Sequence, residues 1–142
     1  MKRNRDWIDA MQRPAGRQMQ YLRALVESRP FFSRIPDQSL IVGDTGQGGQ
    51  RMQAARDRDG SYSFVYFPAI DTYKTIDLGK LKGKRIRAWW FDPRTGIGTL
   101  IDTFDGGKQV QFHTPSYGPD WVLVLDDEAA KYPPPGLFRW GK

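Results

Sequence analysis

Cysteine is absent from the 142 residues and histidine occurs once. The first absence excludes disulfide frameworks, thiolate metal sites and cysteine nucleophiles; it leaves the compartment open, because cysteine-free chains occur on both sides of a membrane. Glutamate stands only at Glu27 and Glu128. No apolar run approaches the roughly 20 residues that a membrane-spanning helix needs. The first residues, Met1-Lys2-Arg3-Asn4-Arg5-Asp6-Trp7, lack the apolar stretch of a secretory signal. A membrane protein is therefore not expected, and any export signal is expected to lie outside this chain. Sustained basic charge is missing too, despite a net charge of +6. From Met1 to Ile35 eight Lys or Arg face three acids, whereas the remainder carries fourteen against thirteen. Phosphate binding requires a continuous basic surface, so nucleic acid is not an expected partner, and a basic N-terminal arm acting on it is the weakest reading.

What is present suits a globular, turn-rich chain: 39% hydrophobic residues, 13% aromatic, 15 Gly and 10 Pro. The length matches one domain with room for a two-layer fold, and is too short for a complete catalytic barrel. In the segment Arg17 to Ser28, good helix formers carry Met19, Leu22 and Val26 at i, i+3 and i+7 with Leu25 beside them. This predicts an amphipathic helix, with Pro14 suited to its first turn. Trp7, Ile8 and Met11 hint at a shorter helix before it. Pro30 and Pro36 bracket an extended exit through Phe31 and Phe32.

After Pro36 the apolar period falls towards two and turn signals recur about every ten residues, the pattern of an antiparallel sandwich or barrel. Eight strands are expected: Ser39 to Val42, Arg51 to Arg56, Ser61 to Phe67, Thr72 to Asp77, Lys84 to Phe91, Ile97 to Phe104, Lys108 to His113 and Trp121 to Leu125. The turns Asp57-Arg58-Asp59-Gly60, Asp92-Pro93-Arg94-Thr95-Gly96 and Asp105-Gly106-Gly107 supply glycine where φ turns positive, and predict hairpins between sequential strands. Ile86, Ala88 and Trp90 alternate with Arg85, Arg87, Trp89 and Phe91, so one side is core and the other mixes cations with rings. Trp121 to Leu125 is apolar on both sides, as a central, doubly covered strand would be. The fold class is thus mainly β, an antiparallel sandwich of about eight strands preceded by one amphipathic helix. Residues 1–36 form the helical segment, 37–127 the sandwich and 128–142 a proline-rich tail. Pro133, Pro134 and Pro135 favour an extended spacer, and Leu137, Phe138 and Trp140 beyond it are expected to dock rather than stay wet.

Catalysis is hard to assemble from this inventory. His113 falls in a predicted strand beside Phe112, where a hydrogen-bonded structural role is expected. A glycosidase needs two opposed carboxylates in a cleft, and no such pair stands out. Asp57, Asp59, Asp92 and Asp105 read as turn residues, without the alternating oxygen ligands of a calcium loop. Gly43-Asp44-Thr45-Gly46-Gln47-Gly48-Gly49 lacks both the Lys-Ser or Lys-Thr and the strand-loop-helix context of a phosphate-binding loop. No metal, no cofactor and no catalytic residue is therefore expected.

Several strings resemble a known family: Tyr21-Leu22 through Glu27-Ser28-Arg29-Pro30-Phe31-Phe32, Ile35-Pro36-Asp37-Gln38-Ser39-Leu40-Ile41, Asp59-Gly60-Ser61-Tyr62, Ala88-Trp89-Trp90-Phe91-Asp92-Pro93-Arg94-Thr95-Gly96, and Gly118-Pro119-Asp120-Trp121-Val122-Leu123-Val124-Leu125-Asp126-Asp127. Together they resemble the C-terminal region of bacterial apiosidase-like glycoside hydrolases, also called putative collagenases, whose last module is named the putative collagen-binding domain. The resemblance covers about residues 16 to 127. It implies that the helix at Arg17 to Ser28 is the last element of an (α/β)8 catalytic barrel and that the strands form an appended β-sandwich. The resemblance places the family's acid and nucleophile in the barrel, of which only the end is expected in this chain. The resemblance further implies a periplasmic or secreted parent protein, with collagen or plant polysaccharide as polymeric partner.

The expected function is a non-catalytic accessory module that supports the barrel and holds polymeric substrate. Its expected ligand surface is the outward side of the Lys84 to Phe91 strand, where Arg87, Trp89 and Phe91 combine stacking with charge, helped by Tyr66. The rival is a purely structural domain in which those rings are covered by the stripe Met19, Leu22 and Val26. A second rival is a small freestanding hydrolase related to the same enzymes.

Overall fold

The computed structural model describes residues 17–48, 51–118 and 120–139, with backbone alone at 17–19 and 137–139. The hint of a helix at Trp7, Ile8 and Met11, and the placement of Trp140, lie outside these residues. The elements are α1 (Arg17–Glu27), β1 (Arg34–Pro36), β2 (Gln53–Asp57), β3 (Tyr62–Phe67), β4 (Tyr73–Asp77), β5 (Arg85–Asp92), β6 (Ile97–Asp105), β7 (Gln109–His113), β8 (Trp121–Asp127) and β9 (Leu137–Arg139). A seven-stranded sheet runs in the order β1-β2-β3-β8-β5-β6-β9, and β4 pairs with β7 in a separate two-stranded ladder. Every pairing is antiparallel except β6 with β9. The fold is mainly β, as the alternating pattern requires.

Three layers result. One core lies between the large sheet and the ladder, where Val65, Phe67, Ile86, Ala88, Trp90, Leu123 and Leu125 meet Ile76 and Phe112. The second core lies on the other side of the same sheet, where Phe64, Tyr66, Trp89, Phe91, Val122 and Val124 meet Leu22, Leu25 and Val26 of α1. An 11-residue helix is marginal alone. Burying three aliphatic side chains, at about 1.5–3 kcal/mol each, holds it in place. β8 lies between β3 and β5 with every residue buried, the central position its two apolar faces call for.

Two expectations need correction. Ser39 to Val42 is not a strand: Gln38–Leu40 is a 3-10 turn capped by Asp37, whose Oδ1 accepts the Ser39 N–H at 3.0 Å, and Ile41 makes only an isolated bridge to Ile76. The Gln38 side chain takes the place of a neighbouring strand, accepting from Ala54 N at 2.7 Å and donating to Met52 O at 2.9 Å. The turn at Asp105-Gly106-Gly107 does not close a hairpin either, because β6 stays in the large sheet while β7 pairs with β4. A turn signal reports that the chain reverses, not which strand it meets next. The hairpins at 57–60 and 92–96 do form. In the tail, the backbone of β9 docks on β6 in parallel register from Ile97↔Leu137.

Candidate functional site

The four residues expected to form an open ligand platform are not open. Tyr66, Trp89 and Phe91 are 1%, 3% and 0% exposed, inside the core beneath α1. Arg87 is half-buried, and its guanidinium lies 3.8 Å from the Glu128 carboxylate. The alternation along β5 separates its two faces correctly, but both are covered: α1 packs over Trp89 and Phe91, and the β4–β7 ladder over Ile86, Ala88 and Trp90. The face carrying Trp89 is the seat of the helix.

What fixes that seat is polar. Arg29, just past the end of α1, donates from Nε to Asp126 Oδ1 at 3.0 Å and from Nη2 to Oδ2 at 2.5 Å, with side-chain exposures of 0% and 2%. Trp89 Nε1 donates to the same Oδ2 at 3.2 Å, and the ring of Tyr132 lies 5.2 Å from the guanidinium carbon. Burial pushes the Asp126 carboxyl above the usual carboxylate range, against the opposing pull of Arg29 and Trp89. A fork-shaped donor meeting both oxygens is the geometry that makes a buried pair tolerable.

A second cluster secures the exit from the helix. Arg34 donates from Nη2 to Val26 O at 2.7 Å, occupying one of the carbonyls that every helix C-terminus leaves unpaired. Its Nε donates to Tyr62 Oη at 2.7 Å, and Tyr62 Oη donates to Pro30 O at 2.6 Å. Burial lowers the Arg34 guanidinium and pushes the Tyr62 phenol up to about 12. Ser33 and Ser61 both donate to the Asp57 carboxylate; burial pushes that carboxyl up, yet these hydrogen bonds leave it below its ordinary value.

A cleft of about 500 Å³ opens beside this network and is lined in part by Asp57, Asp59, Asp127, Lys82, Ser61 and Tyr132. Two of its carboxylates, Asp57 and Asp127, have structural duties. Asp57 is held low by its serines, the reverse of what a general acid requires. Asp127 caps a 3-10 turn, accepting from Ala129 N at 3.0 Å. Away from the cleft, Asp120 is raised by burial and accepts from Tyr66 Oη at 2.9 Å, while its neighbour Asp92 is paired with Arg94 at 3.1 Å. Among the described residues no group of three His, Asp or Glu could hold a metal ion, and no helix is long and apolar enough to cross a membrane.

The other surface of interest lies on the ladder, on the far side of the sheet from α1. His113 is not in a core: it is exposed, its ring stacks on Tyr73 at 3.9 Å and 3°, and its Nε2 lies 3.8 Å from Asp71. Sequence reasoning missed both this pair and the Arg29–Asp126 pair. Their partners lie 40 and 97 positions apart, and no local pattern announces a contact at such separation.

The family model described as "Putative collagen-binding domain of a collagenase" matches residues 35–126. Among solved structures, a glycoside hydrolase family 5 protein from Bacteroides vulgatus is 35% identical, with a TM-score of 0.77 over 92% of this chain and 29% of its own. Another, described as a glycoside hydrolase, is also 35% identical, with a TM-score of 0.72 over 87% of this chain and 27% of its own. The chain therefore spans less than a third of either structure. No curated protein matches.

Proposed function

Since the chain belongs to the family of the putative collagen-binding domain of a collagenase, we propose that it is a non-catalytic accessory module of a glycoside hydrolase-like protein. Its work is mechanical: the large sheet is a rigid seat that fixes α1, and through α1 a catalytic (α/β)8 barrel, in one orientation. The observation that carries this reading is the buried Arg29–Asp126 fork beneath the Leu22, Leu25 and Val26 stripe. A helix tied down by desolvated, bidentate bonds is positioned more exactly than apolar packing alone would achieve, because burial is non-directional and hydrogen bonds are not. Tyr66, Trp89 and Phe91 serve as the seat's surface, which favours the structural role over the platform on that face.

Hydrogen exchange tests the seat. Amides in Leu22–Glu27 should be protected to the same order as those of β8, as expected if helix and sheet open as one unit. Exchange of these amides at unfolded-chain rates would refute the reading. The non-catalytic part is checked separately, by incubating the purified chain with aryl glycosides and pectic polysaccharide. No product is expected, and turnover would overturn it.

A further inference from the structure

We infer that the outward face of the β4–β7 ladder is a binding strip for a neutral polysaccharide, a reading that rests on the accessory role and gives it a ligand surface. The inner side of this ladder, with Ile76 and Phe112, is packed on the large sheet. Register places the outward residues in three cross-strand pairs: Tyr73 with His113, Thr75 with Gln111, and Asp77 with Gln109. At about 3.4 Å of rise per residue, these pairs span about 14 Å. One end is aromatic. Tyr73 is 60% exposed, yet its ring is held parallel to the His113 imidazole. The strand pairing also anchors that end, as Thr114 N donates to Thr72 O and Thr72 N donates to Thr114 Oγ1, both at 3.0 Å. Asp71, which faces His113, sits in the left-handed region at φ 53, a conformation that persists where neighbours enforce it.

The chemistry selects the ligand. An exposed ring fixed on a strand offers a flat apolar face at little entropic cost, and the amides and hydroxyl beyond it supply donors and acceptors in a row. That combination matches a sugar, which has an apolar C–H face and a rim of hydroxyls. None of the six positions is Lys or Arg and one is Asp77, so a neutral glycan fits the strip better than an acidic one; Lys74 lies off it, in the adjoining groove. A proline-rich chain calls for a groove lined by several rings, whereas here one tyrosine and one imidazole lie on an open face. A groove of about 260 Å³ beside Tyr73, bounded by Lys74, Asp44, Thr45, Pro68 and Thr72, gives room for a side branch.

Native affinity electrophoresis of the whole chain in gels containing xyloglucan, arabinan or galactan tests this. Retardation by at least one polymer is expected. Tyr73→Ala should weaken it by about five- to ten-fold, corresponding to one aromatic contact; Tyr73→Phe should retain it, and Gln111→Ala should weaken it less. Both positions are exposed, and circular dichroism of each variant should match the parent. Migration unaffected by all three polymers, or retardation that Tyr73→Ala leaves unchanged, would overturn the strip. So would capture on gelatin that requires Tyr73 without any retention by glycans. Each of these failures leaves the seat for α1 intact, because helix exchange and glycoside turnover read that out independently.

Discussion

Replacing Arg29 by methionine removes the donor that neutralises Asp126 while keeping most of the buried volume. Breaking a buried ion pair from one side costs about 3–5 kcal/mol, because the remaining charge stays desolvated and unpaired. Here the remaining carboxylate keeps the Trp89 indole N–H, at 3.2 Å. Set against a total stability of about 5–15 kcal/mol, this is a large fraction. For a domain of this size it corresponds to a fall in Tm of about 10–20 °C. The deficit should depend on pH with a definite sign. Asp126 already titrates above the usual range because of burial, and losing Arg29 raises it further. A folded-state pKa above the unfolded value means that folding takes up a proton. The variant therefore regains stability as pH falls through that raised value towards about 4. Urea melts of Arg29→Met from pH 7 to pH 4, followed by tryptophan fluorescence, measure both effects. The double variant Arg29→Met with Asp126→Leu should recover most of the loss, as apolar replacement of a whole buried pair usually does. A loss below about 1 kcal/mol, the range of exposed pairs, or a double variant as weak as the single one, would refute the claim that this pair fixes the helix.

Gly96 sits at φ +75, and a Cβ there would lie 2.5 Å from Tyr21 Cδ1 on α1. Gly96→Ala should therefore destabilise by about 2 kcal/mol through backbone strain and the displaced ring, measurable by thermal melting. Ser61→Ala removes a 2.6 Å hydrogen bond to Asp57 and should cost about 1 kcal/mol at neutral pH. Because the folded-state pKa of Asp57 lies below its unfolded value, that contribution is present above about pH 4 and is lost as pH falls through the lowered pKa. The gap between variant and parent should accordingly narrow below about pH 3. A gap constant from pH 7 to pH 2 would show that Asp57 is not the acceptor that matters.

Much of the fold was legible because its signals are local. Strand periods, the positive-φ glycines at 60 and 96, and the apolar stripe on Arg17–Glu27 each depend on residues within one turn or one strand. Bounds at β3 and β5 moved by a single residue from expectation. Ser39 to Val42 misled because the cap from Asp37 and the bridging amide of Gln38 outweigh strand propensity, and the bridge to β2 is not visible in sequence. The candidate site was legible only in part. Alternation distinguished Trp89 and Phe91 from Trp90, but a mixed face of cations and rings reads the same whether it meets solvent or a covering helix. The strings that resemble glycoside hydrolase modules identified the family, whose model matches residues 35–126.

Local chemistry alone determined that this chain would be mainly β and would carry an amphipathic helix ahead of its strands. Tertiary structure decided which aromatic face is dry, which aspartate receives Arg29, and that Tyr73 and His113 meet in the open. The reason is separation: period and turn are properties of neighbours in sequence, whereas covering a face or matching a charge joins residues that only the folded sheet brings within a few ångströms.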